Sequence, residues 1–131
     1  MDVHYHAHLD VIADGAKIPV VANLGIDYKA QKISPLHTHD ASGVIHIEAA
    51  KSDVFTLGQL FTEWGVRLSP DCVGGLCTGG GKTLRVYVNG QLRPGDPAAV
   101  AFAAHQEVAL VYRADSDTTP VPAKYDFASG L

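Results

Sequence analysis

Six of the seven histidines fall in two short stretches. His4, His6 and His8 alternate near the start. His37, His39 and His46 follow in the run His37-Thr38-His39-Asp40-Ala41-Ser42-Gly43-Val44-Ile45-His46-Ile47-Glu48, which also carries two carboxylates. Imidazole is the usual protein ligand for zinc, copper, iron and nickel at neutral pH. A donor set dominated by it disfavours calcium and magnesium, which prefer oxygen. The chemistry expected is therefore transition-metal binding, with a copper or zinc ion as the cofactor. His6, His8, His37, His39 and His46 are the candidate ligands. Asp40 and Glu48 would ligate as well, or hold the second nitrogen of a ligating imidazole.

The spacing limits how these ligands combine. On a strand, side chains at i and i+2 share a face about 6.5–7 Å apart. His4 and His8 are too distant to share one ion, so one or two ligands are expected from this strand, His6 and His8 foremost. His4, near the terminus, is expected to fray. If the turn at Asp40 to Gly43 makes a hairpin, His39 and His46 face each other. The same residues also suit a buried hydrogen-bond network, a pH-sensitive surface or an ordinary polar face. His105 stands apart and reads as a loop residue.

Strands must position these groups. Val3, Tyr5, Ala7, Leu9 and Val11 alternate with His4, His6, His8 and Asp10, the period of a strand with one apolar face. Asp14-Gly15 reads as a tight turn, and Lys17 to Val21 as the returning strand, confined to an edge by Pro19. Asn23 to Ile33 is a connection. Val44 to Ala49 alternates again, with Ile45 and Ile47 set against His46 and Glu48.

One helix is expected. Thr56 and Gln59 form a capping box, Leu57, Leu60, Phe61 and Trp64 share a face, and Gly65 suits the C-cap. Leu84 to Val88, the Asn89-Gly90 turn, Gln91 to Arg93 and Glu107 to Arg113 supply the later strands. Ala98 to Ala104 fits either helix or strand. The fold expected is α+β: an antiparallel or mixed β-sheet with one main helix, β-grasp-like, with a small β-barrel or sandwich as the alternative. Residues 1–131 read as a single domain, with 114–131 an extended C-terminal tail on which Tyr125 and Phe127 dock.

Composition bounds the function. Hydrophobic residues make up 47% of the 131, enough for a core, and the net charge is −4. No Lys/Arg cluster exists, so no nucleic-acid partner is expected. No apolar run reaches membrane-span length, and the start lacks a signal-peptide pattern. Gly79-Gly80-Gly81-Lys82-Thr83 fails as a phosphate loop, because the first required glycine falls on Leu76. Cys72 and Cys77, across two glycines, suit a small disulfide loop, which favours an oxidising compartment, periplasmic or secreted. Free thiols and metal ligation are the alternatives.

The stretch from His37-Thr38-His39 to Glu48 resembles the first metal motif of the cupin family, which implies metal ligation there. Glu48 follows His39 by nine positions, more than that family places between them. Its second histidine motif has no counterpart unless His105 stands in. The chain as a whole is similar to small histidine-rich bacterial domains found outside the cytoplasm, a likeness that brings no activity with it.

Three functions fit: metal sequestration, delivery or sensing; a metal-dependent enzyme activating water or dioxygen at three histidines, with Glu48 or Asp40 moving a proton; or a non-metal interaction module. A protein partner or a homo-oligomer is compatible with each.

Overall fold

The computed structural model describes residues 3–131, so the first two residues of the expected 1–131 domain, Met1 and Asp2, lie outside the described residues. In chain order the strands are β1 (Val3–Ala13), β2 (Ala16–Ile18), β3 (Ile26–Asp27), β4 (Lys32–Ile33), β5 (Leu36–His37) and β6 (Val44–Ala49). Helix α1 (Leu57–Trp64) follows, then β7 (Cys72–Val73), β8 (Leu76–Cys77), β9 (Lys82–Val88), β10 (Gln91–Arg93) and β11 (Glu107–Ala114).

One mixed sheet runs β10-β9-β11-β1-β6-β5, with β2 beside the end of β1. Its centre is the parallel pair β1 and β11; the remaining pairs are antiparallel. This is a β-grasp-like arrangement against one main helix, and no sheet of the described residues closes into a barrel.

Alternation decides which face is core. Ala7, Leu9 and Val11 of β1, Ile45 and Ile47 of β6, and Leu84, Val86 and Val88 of β9 point to the helix side. There they meet Leu57, Leu60 and Phe61 of α1. The capping box forms as the sequence requires: Gln59 N–H donates to Thr56 Oγ1, and Thr56 N–H donates to the Gln59 side chain. Gly65 closes the helix in the left-handed conformation, which a glycine adopts without steric cost.

Several elements differ from expectation. The strand read as Lys17 to Val21 is only Ala16–Ile18 and wholly exposed, because Pro19 has no N–H to extend the ladder. The connection through residues 23–33 contains the small β3–β4 ladder. The ambiguous stretch at 98–104 begins as a 3-10 turn, Pro97–Ala99, capped by the Asp96 side chain. Within the glycine-rich loop, β7 and β8 set Cys72 opposite Cys77, and the two form a disulfide.

The polar face of β1 is not a solvent face. His6 and His8 are buried. The segment after β11 crosses this side: Tyr125 stacks flat on His8 with ring centroids 3.6 Å apart, and Phe127 lies on His105. His4, expected to fray, lies inside β1 opposite Glu48, with its side chain exposed.

Candidate metal centre

Register across three adjacent strands builds the site. His6 of β1 pairs with His46 of β6, and His46 pairs with His37 of β5. Three imidazoles thus form a row across the sheet, and His39, two residues beyond His37, folds back over it. Ring centroids lie 4.6 Å apart for His6 and His46, 5.4 Å for His37 and His46, and 4.5 Å for His39 and His46. His37, His39 and His46 each offer a nitrogen, and these atoms lie within 4.8 Å of one another. His37 is buried, His46 half-buried and His39 exposed, so the group opens on one side to solvent.

Local bonding fixes this geometry. Thr38 points away from the cluster and is fully buried. Its hydroxyl donates to the Val21 carbonyl at 2.8 Å and accepts from Leu24 N–H at 3.0 Å. Pinning Thr38 pins the imidazoles on either side of it. The turn that follows is tied by Asp40, whose carboxylate accepts from Ser42 N–H and Ser42 Oγ. Those bonds hold the Asp40 carboxyl below the usual carboxylate range. Asp40 therefore serves the turn.

The tautomer of His37 follows from its partner. Its Nδ1 lies 2.9 Å from the Ser34 carbonyl oxygen, which can only accept, so Nδ1 carries the proton. The Nε2 lone pair is left facing the cluster, with Glu48 Oε1 3.4 Å away. The same Glu48 oxygen is 3.5 Å from His4 Nε2. Ser34 is itself tied to α1, its hydroxyl donating to Glu63. A carbonyl on the far nitrogen is the usual orienting partner of a ligating imidazole.

Electrostatics favour the neutral form of His46 and His6. Burial, then the neighbouring His39, His6 and His37, pull the His46 pKa down to about 4. Burial, then His4, lowers that of His6. Neutral imidazole is the metal-binding form.

His8 goes elsewhere. Although two residues from His6 and on the same face, it belongs with Asp10 and Glu107, and its donor atoms group with theirs. Its Nδ1 is 2.6 Å from Glu107 Oε1, and its Nε2 is 2.8 Å from the Ser42 carbonyl. Burial opposes protonation of His8, but the bonds to Glu107 and Ser42 outweigh it and raise its pKa. Burial, and Asp10 beside it, push Glu107 up to about 7 against the pull of His8. Of the two ligands expected from β1, His6 meets the second stretch at His46, while the parallel pairing of β1 with β11 sets His8 opposite Glu107. Sequence reading gave Glu107 no role. Its signal was a carboxylate heading the apolar run Val108 to Val111.

His105 does not complete a second cupin-like motif. Its Nε2 meets the Leu131 carbonyl at 2.7 Å and its ring stacks on Phe127. No protein-family model, curated protein or solved structure matches the chain. Among the described residues, the fold assembles two clusters of His, Asp and Glu that could chelate a metal ion.

Proposed function

We propose that the chain binds one copper or zinc ion through His37, His39 and His46, in sequestration, delivery or sensing. The observation that carries this is the convergence of three imidazole nitrogens within 4.8 Å of one another. The neutral His46 ring and the fixed His37 tautomer support it. His6 is a supporting ring against His46, and Glu48 an acidic partner at the rim. An all-imidazole set suits copper slightly ahead of zinc. The exposed His39 edge favours transfer or storage over a closed structural site. With the Cys72–Cys77 disulfide, the reading places the protein in an oxidising, extracytoplasmic setting.

A second reading, a metal-dependent enzyme, is favoured by Glu48. It stands exposed beside His37 and is able to move a proton at a position left open by three ligands.

The test is elemental analysis and metal titration of protein purified without a histidine tag. Replacing His39 and His46 by alanine removes one equivalent of copper or zinc, and His105→Ala removes none. Uptake unaffected by the double replacement, or no uptake at all, overturns the reading.

A further inference from the structure

Glu107 is fully buried at the head of β11. One oxygen meets His8. The other, Oε2, is the one buried side-chain polar atom without a hydrogen-bond partner among the described residues. Asp10, whose side chain is 11% exposed, brings Oδ2 to 3.6 Å from the same His8 nitrogen. Two carboxylates offer each other no hydrogen unless one is protonated, and an unsatisfied buried charge is costly. The nearest ammonium, Lys17 Nζ, lies 3.6 Å from the other Asp10 oxygen on a side chain 71% exposed.

His8 is oriented as a ligand would be. Its Nε2 faces the Ser42 carbonyl, so that nitrogen carries a proton, and Nδ1 points at both carboxylates. A backbone carbonyl behind a nitrogen-and-carboxylate donor set is the outer support found at metal centres. Gly43 makes the approach possible, because a Cβ there would lie 2.9 Å from His8 Nε2. A cavity of about 300 Å³, lined by His8, Asp10, Lys17, Ser42 and Tyr125 among others, gives access.

We propose that His8, Asp10 and Glu107 form a second metal site, for a divalent ion such as Zn²⁺ or Mn²⁺, separate from the imidazole cluster and covered by Tyr125. One nitrogen and two oxygens make a harder donor set than three imidazoles, which suits these ions over copper. The ion supplies the unpartnered Glu107 oxygen with a ligand bond and balances the two carboxylates. With ligand bonds of about 2.0–2.2 Å in a tetrahedral shell, the His8–Glu107 contact opens by about 0.8 Å to admit it.

The probe is Zn²⁺ alone, titrated calorimetrically into tag-free, metal-stripped protein carrying His39→Ala and His46→Ala. One equivalent binds, and adding Asp10→Asn weakens it by more than about 100-fold, beyond the loss of an outer partner. Glu107→Gln does the same in protein whose circular dichroism is unchanged. Should that buried change prevent folding, the partly exposed Asp10→Asn decides. In otherwise native protein, Asp10→Asn leaves the imidazole-cluster equivalent in place. The proposal is overturned if the His39→Ala/His46→Ala protein takes up no Zn²⁺, or if its affinity survives Asp10→Asn.

Discussion

His6 and His46 stand directly opposite each other across β1 and β6, with ring planes nearly perpendicular. The edge-on contact lets His6 hold the His46 ring without offering a nitrogen to the group formed by His37, His39 and His46. His46→Ala is therefore expected to abolish binding of copper or zinc at this cluster. His6→Ala should keep the stoichiometry and weaken affinity about 10- to 100-fold, as loss of an outer support does. Competition titration against a chelator separates the two. Complete loss in His6→Ala would make that ring a ligand.

The pH dependence of metal-free stability has two opposed parts. His46 titrates at about 4 in the folded chain against 6.5 for a free histidine. The unfolded chain thus takes up its proton first, and stability falls as pH drops through that window. Glu107 titrates at about 7 against 4.5. Its contribution is fully present below 4.5 and is lost as pH rises to about 7. In urea midpoints measured between about pH 4.5 and 6.5, His46→Asn should reduce the acid-side loss, leaving only the smaller part due to His6. Glu107→Gln should instead reduce the loss as pH rises. Identical slopes in wild type and both variants would contradict this.

Gly43→Ala should be strongly destabilising. The residue sits at φ +90°, and a Cβ would lie 2.4 Å from the Leu9 carbonyl oxygen. A loss of about 1–3 kcal/mol or more follows from the backbone strain alone, with the clash added to it. Gly15→Ala has a positive φ as well but nothing within 4 Å, so it should cost less. Denaturant melts of the pair test the ordering.

Removing the disulfide should be mild. Cys72 and Cys77 close a loop of five residues' separation, for which chain entropy gives about 2 kcal/mol. The variant with both cysteines replaced by alanine should unfold at lower denaturant by roughly that amount and bind metal with unchanged stoichiometry. A changed stoichiometry would tie this loop to a site.

What could be read in advance was what local pattern encodes. Alternation through Val3 to Val11 fixed which residues of β1 face the core. Thr56, Gln59 and Gly65 marked both ends of α1. The short turn from Asp40 to Gly43 suggested His39 facing His46 across a hairpin, whereas the ladder sets His37 opposite His46, with the His39 ring packed against it. The fate of His8 was not readable, because it depends on a partner 99 positions away. No periodicity states which residue of β11 lies beside which residue of β1. The same long-range pairing hid Glu107. Tyr125 and Phe127 could be named as anchors of the final segment, but not the imidazoles they would cover.

Histidines written at every second position leave the pairing of β1 with β6 open to a particular error. A displacement by two residues keeps every side chain on its proper face, yet hands His46 either His4 or His8 as neighbour. The Leu9 N–H, which donates to the Gly43 carbonyl at 2.9 Å, locks the strands at the correct step just where the turn begins. Together with the ladder from Val3–Ala49 to His8–Val44, that amide bolts the two donor groups against trading a ring.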